Sequence, residues 1–379
     1  MTGSETTVTG REHPDELTGP IRRRSFLASA AVAATAPVAV AGPARAAEPA
    51  AGPPVGSVAR LLGVPEAGRG VGWLREALQI AVQLELATIP PYLCGWWSVK
   101  DRRGDAAQLI RRVIDDEMYH LGVVCNLLVA VGGRPRFKDL APRYPGPLPG
   151  GVRAGVTVYL SGLTRPFVRD VMMAIEAPDE PLARRANLSP SIGDFYSHLM
   201  IAMRDTAPYL SVEGQLSSRI GPDVLEPVRT LDDVERSIEI IKEQGEGTAS
   251  CPADAFQDDH PAHYYAFAEI YHGRQLCNTG RGWHFTGAPV PFPDARPMAR
   301  VPVGGWRRLP PPVRRLSDQF DSTYDAILDA LEGAWSGGGQ SALGSAVRAM
   351  RGLEEPAVEL MEIAMPDAPG NYGPQFRRP

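Results

Sequence analysis

The sequence predicts an all-α protein: a bundle of long helices followed by a C-terminal helical extension. Three observations lead there. Apolar residues recur at three- and four-residue spacing over long stretches. Glycine and proline gather in the first 70 residues, at 141–151 and at 279–312, which read as linkers and irregular loops. Only one stretch, GVTVYLSG at 155–162, reads as a strand.

The elements follow in order. IRRRSFLASAAVAATAPVAVAGPARA has paired arginines before Phe26-Leu27, an apolar run and an Ala44-Arg45-Ala46 cleavage pattern. That order predicts an export signal over residues 1–46, of the twin-arginine type, and a location outside the cytoplasm. A Pro/Gly-rich linker occupies 47–72, and the bundle spans 73–280. Its first helix runs from Trp73 to Ser98 with a kink expected at Pro90-Pro91. The short KDRRGD connection makes the second, 105–131, its antiparallel partner, closed by Gly132-Gly133. Shorter helices are expected at 164–176 and 190–205. A third long helix starts after Thr230 as N-cap with Asp232-Asp233 in its first turn, and a fourth spans about 261–276. A Pro-rich linker at 281–310 leads to the extension, 311–379, with helices at 311–335 and 339–363. There Phe320, Tyr324, Ile327, Leu328 and Leu331 form one apolar face, which must pack against something.

Composition excludes several functions. A net charge of −5 without a lysine- or arginine-rich run speaks against nucleic-acid binding. Beyond the amino terminus, no segment has about 18 uninterrupted apolar residues, so no membrane span is expected. The four cysteines contain no C-x-x-C, against a cysteine-based zinc site, and the helical ones read as buried free thiols.

One residue conflicts with the pattern. Glu85, in QLELATIPPYLCGWWS, lies on the stripe made by Leu78, Ala81, Val82 and Ile89. A carboxylate in a core must be protonated, ion-paired or bound to a metal. The second helix offers the partner: Glu117 and His120, three apart and therefore on one face, share it with Val113, Leu121, Val124 and Leu128. A lone Glu beside Glu-x-x-His is half of the ligand set of a carboxylate-bridged di-metal bundle. Carboxylates bridge and neutralise two cations, and imidazoles fill terminal positions. Spacing leaves two choices for the other half: Glu243 or Glu246 with His263, or Glu269 and His272 with Glu239. Tyr92, Tyr119, Tyr264 and Tyr265 read as packing aromatics. Glu176, in MMAIEAPDEP, reads as a residue closing a helix.

LELATIPPYL, DDEMYHLGVVCNLLVAVGGRP, EQGEGT and HYYAFAEI together resemble the ferritin-like domain of the iminophenyl-pyruvate dimer synthase family, over roughly residues 73–277. The closing NYGPQF matches more loosely. The resemblance implies a ferritin-like four-helix bundle with additional C-terminal helices. It implies metal ligands at Glu85, Glu117, His120, Glu246 and His263, with Glu243, Glu269 and His272 as alternates. It also implies a di-iron (or Fe/Mn) cofactor and an oxidoreductase that uses dioxygen on a small-molecule substrate, an amino-acid-derived one. Two other functions compete with it: metal sequestration without turnover, and a metal-free helical interaction protein with a buried ion-pair network.

Overall fold

The computed structural model describes residues 57–178, 191–247, 252 and 260–378. The predicted export signal and Cys251 lie outside the described residues. α1 (Val58–Leu62) leads to α2 (Val71–Ser98), where Trp73 Nε1 donates to the Leu61 carbonyl at 2.9 Å. A six-residue connection, 99–104, turns the chain into α3 (Asp105–Ala130), which packs along α2. Both helices lie within two residues of their expected bounds.

α2 runs through Pro90 and Pro91 without interruption. Pro91 has no N–H for the Ala87 carbonyl, which takes its hydrogen bond from the Tyr144 hydroxyl at 2.7 Å instead. The helix is buried on nearly all sides because α3 and later helices enclose it.

The connection after α3 contains β1 (Gly146–Pro147) and β2 (Thr157–Val158), an antiparallel pair covering only two residues of the expected strand. α4 (Arg165–Phe167) and α5 (Met173–Glu176) flank a π turn at Val168–Met172. α6 (Ile192–Thr206) follows, and β3 (Ser218–Ile220) and β4 (Asp223–Leu225) form a hairpin against α3. α7 (Leu231–Glu246) starts as expected, with Thr230 and Asp233 in a reciprocal capping box.

α8 (His263–His272) is shorter than expected. Gly273 adopts φ 77° and stops it, and its N–H donates to the Glu269 carbonyl at 2.8 Å. The residues assigned to its last turn instead belong to β5 (Arg274–Asn278), which pairs with β6 (Trp283–Pro289). Most of the predicted linker is therefore a hairpin and an ordered strap. Arg296 in this strap donates to the Trp97 and Val99 carbonyls at 3.2 and 3.3 Å, satisfying the C-terminal end of α2.

In the extension, α9 (Pro311–Gly333) carries the predicted apolar face, and its partner is the bundle. The second expected helix is two, α10 (Gly339–Arg351) and α11 (Glu354–Glu362), parted at Gly352-Leu353. Trp97 of α2 meets Phe320 edge-on at 6.1 Å and stacks on Phe376 at 6.0 Å. Phe376 also meets Phe320 and Tyr324 edge-on at 4.9 and 5.1 Å. Gln375, in the closing NYGPQF, donates to Ser317 Oγ at 2.8 Å and accepts from the Trp306 N–H at 2.7 Å.

Phe320 is fully buried at this junction. Phe320→Ala should destabilise the protein by about 3–5 kcal/mol. Urea unfolding monitored by tryptophan fluorescence checks this; a loss under about 1 kcal/mol contradicts the packing described, since that is the range of a volume-conserving swap.

Candidate metal centre

α2 brings Glu85 into the middle of the bundle, and α3 brings Glu117 and His120 level with it. All three are buried. α8 contributes His263, fully buried at its first residue, and α5 contributes Glu176. These side chains form two groups that share Glu117. Glu85, Glu117 and His120 form one, and Glu117, Glu176 and His263 the other, with ligand atoms within 4.8 Å of one another in each. The two imidazole rings face each other at 5.6 Å and 29°.

The chain brings together four of the five residues that the sequence nominated. The fifth, Glu246, closes α7, and its side chain lies outside the described residues. Glu243 is partly buried and belongs to neither group. Of the alternates, Glu269 accepts the Leu276 N–H at 2.8 Å, and so serves the β5 turn. His272 is exposed, stacked on Phe285 at 4.2 Å.

Glu176 does close a helix, as the sequence suggested, but its side chain also enters the centre, which the sequence reading missed. An acid in the last turn of a helix opposes the dipole and calls for a cation partner, which was the available signal. The π turn obscured it: one extra residue rotates the following side chains by about 100°. Asp116 and Gln244 also escaped notice. The Asp116 carboxylate lies 3.2 Å from His263 Nε2, and Gln244 Oε1 lies 2.6 Å from His120 Nε2. Both polar partners thus sit on the outer nitrogen of an imidazole and fix which nitrogen carries the proton.

That leaves each Nδ1 facing carboxylates. His120 Nδ1 is 3.7 Å from Glu85 and 3.8 Å from Glu117. His263 Nδ1 is 2.9 Å from Glu117 Oε1 and 3.8 Å from Glu176, yet it is buried without a satisfactory hydrogen bond. A lone pair aimed at carboxylate oxygens is repulsive unless a cation or an extra proton intervenes. Among the described residues, no lysine or arginine forms an ion pair with Glu85, Glu117 or Glu176. The residues therefore fit a pair of metal ions: each group supplies one imidazole nitrogen and two carboxylates, with Glu117 common to both.

Without metal, protons take the cations' place. Burial and the nearby Glu176 charge push the Glu117 carboxyl up from 4.5 to about 7, although His263 pulls the other way. Burial would strip His120 of its proton, but Glu85 and Glu117 overcome it and lift the imidazole from 6.5 to about 9. His263 is also held above its ordinary value against burial, by Asp116, Glu117 and Glu176. Asp116 is lowered despite its burial, by His263 and Arg112. Burial, reinforced by Glu176 and Glu85 respectively, raises Tyr92 and Tyr196, so both hydroxyls stay protonated donors.

A small cavity of about 30 Å³ adjoins these groups. Its walls come from α2, α3, α5, α6 and α7, including Leu84, Ile175, Ile192 and Ile241, and none comes from α9–α11. The free thiols of Cys94 and Cys125 are buried, as expected, and belong to neither group.

Raised folded-state values imply that stability falls as pH rises. The stabilisation from protonated His120 is complete below 6.5 and lost as pH passes about 9. That from Glu117 is complete below 4.5 and lost as pH passes about 7. The melting temperature of the metal-free protein, relative to Glu117→Gln/His120→Gln, should therefore fall between pH 4.5 and 9. A difference that does not change with pH contradicts this account.

Comparison with known proteins agrees with the fold. The ferritin-like family model matches residues 78–272. The solved structure of a ferritin-like protein from Caulobacter vibrioides is similar, with a TM-score of 0.58 at 22% identity. The match covers 80% of this chain and 97% of that one, a likeness of fold. No curated protein matches the sequence.

Proposed function

The chain belongs to the ferritin-like family, and on that premise we propose that it is an exported di-iron or iron–manganese oxidoreductase. It uses dioxygen to oxidise a small, amino-acid-derived substrate, in the manner of the iminophenyl-pyruvate dimer synthases it resembles. The observation that carries the reading is the sharing of Glu117 between two buried groups, which gives one carboxylate access to two cation positions. Two iron ions, if held there by these residues, would supply one-electron redox chemistry and open positions for dioxygen.

The protein's own residues divide the work. Glu85 and His120 hold one position, Glu176 and His263 the other, and Glu117 both. Glu246 keeps a proposed place as a further oxygen donor. Its neighbour Gly245 lies against Glu176, with a Cβ there falling 3.6 Å from Oε2. Asp116 and Gln244 keep the imidazoles turned with Nδ1 inward. The isoleucine walls exclude bulk water, which strengthens every electrostatic interaction inside. Lys242 lines the same cavity and donates to Ser197 Oγ at 2.8 Å, a cation at the rim suited to an acidic substrate. Export by the twin-arginine route moves folded chains, so the metal can be loaded beforehand.

One observation favours a second reading, metal sequestration without organic turnover. A cavity of about 30 Å³ accommodates a water or dioxygen but no aromatic acid. Elemental analysis of the protein as isolated, and of Glu117→Ala/His120→Ala, tests what the two readings share. The expected result is about two equivalents of iron or manganese, lost in the variant. No metal in either, even after anaerobic iron loading, leaves the metal-free interaction protein. Oxygen uptake by the iron-loaded protein separates the other two: acceleration by an aryl keto acid or amine supports the oxidoreductase, and uptake indifferent to both supports sequestration.

A further inference from the structure

Each carboxylate in the centre has one oxygen bound to a hydroxyl and the other turned toward an imidazole. The Tyr196 hydroxyl donates to Glu85 Oε1, while Glu85 Oε2 faces His120 Nδ1 at 3.7 Å. The Tyr92 hydroxyl donates to Glu176 Oε1, while Glu176 Oε2 faces His263 Nδ1 at 3.8 Å. Thr88 Oγ1 lies 2.5 Å from Glu117 Oε2, nearer than the Glu85 carbonyl at 2.9 Å that competes for its one proton, and Glu117 Oε1 points at both imidazoles, 2.9 Å from His263 and 3.8 Å from His120. Three carboxylates and three hydroxyls repeat one arrangement.

The arrangement arises from a stripe. Glu85, Thr88 and Tyr92 succeed one another at three- and four-residue spacing on one face of α2, so that helix supplies a ligand and two of the hydroxyls. Tyr196 comes from α6, across the cavity. Both tyrosines are fully buried, where a hydroxyl without a partner is costly and water is no alternative.

We propose that Thr88, Tyr92 and Tyr196 are positioning residues that restrict Glu117, Glu176 and Glu85 to one metal-facing oxygen each. This inference rests on the two-metal reading above. A hydroxyl that holds the second oxygen takes one of its lone pairs and fixes the carboxylate's orientation, which disfavours chelation of a cation through both oxygens. Each metal position is then left with three protein donors from its group, one imidazole nitrogen and two carboxylate oxygens, and coordination positions stay open for small ligands. The device also divides by position: Tyr196 serves only the Glu85 side, Tyr92 only the Glu176 side, and Thr88 both, through the shared Glu117.

Cobalt(II) titration of the metal-free protein, followed by its visible absorption, tests this without reference to turnover. Wild type should take up two equivalents. Tyr196→Phe and Tyr92→Phe should each weaken one equivalent about 10–100-fold and leave the other unchanged. Thr88→Val should weaken both, and Thr88→Ser, which retains the hydroxyl, should restore wild-type binding. The visible band should lose intensity in the tyrosine variants as the freed oxygen closes an open position. Circular dichroism of the metal-free variants shows whether each has folded; if a tyrosine variant has not, the Thr88→Val and Thr88→Ser pair decides. Two tight equivalents in wild type with unchanged titrations in the variants overturn the positioning role alone. Equal loss of both equivalents in each tyrosine variant overturns the division between positions. Fewer than two equivalents in wild type removes the two-metal reading and this inference with it.

Discussion

Three carboxylates buried at the centre of an apolar helical bundle are the constraint on which the rest of the structure depends. Taking one ion out of water costs several kcal/mol even after relaxation, and like charges close together add to that cost. Arginine or lysine is the usual remedy, yet none forms an ion pair with Glu85, Glu117 or Glu176 among the described residues. The protein provides two imidazoles instead, each oriented from outside by Gln244 or Asp116. Two divalent cations would more than offset the three negative charges, and in their absence extra protons on Glu117 and His120 take over part of that role.

Local sequence places these groups with few elements. α3 carries Asp116, Glu117 and His120 within five residues, so a single helix supplies the bridging carboxylate, one imidazole and the partner of the other imidazole. α2 carries Glu85, Thr88 and Tyr92 on one face, with a proline pair between Thr88 and Tyr92. The prolines leave the Ala87 carbonyl without its helical partner, and Tyr144 satisfies it from the loop that follows α3. A π turn sets the phase in which Glu176 enters the centre. The C-terminal helices contribute nothing to the cavity. α9 and the closing segment pack on the far end of α2 through Phe320 and Phe376 against Trp97.

Much of this is legible in the sequence, for identifiable reasons. Periodicity locates α2 and α3 almost to the residue because both are long and each starts after a glycine. A charged residue on an apolar stripe exposes Glu85, and the same argument finds Glu117 and His120. It fails where a helix is short or irregular. Glu176 is the last of only four residues in α5, and the π turn breaks the spacing that would have linked it to the preceding stripe. Gly273 is a legible helix stop, but the aromatic residues before it and the apolar Leu276 after it mimic a continuing helix. Glu269 and His272 show the limit of motif reading: the Glu-x-x-His spacing is present, yet one residue serves a strand turn and the other faces solvent.

The central claim is that Glu117 lies between two cation positions and would serve both, each with its own imidazole. Anomalous diffraction at the iron absorption edge from iron-loaded crystals tests it most directly. Two peaks are predicted, one on either side of Glu117, the first beside His120 Nδ1 and the second beside His263 Nδ1. No peak among α2, α3, α5 and α8, or a single peak that leaves one imidazole without metal, would contradict the account.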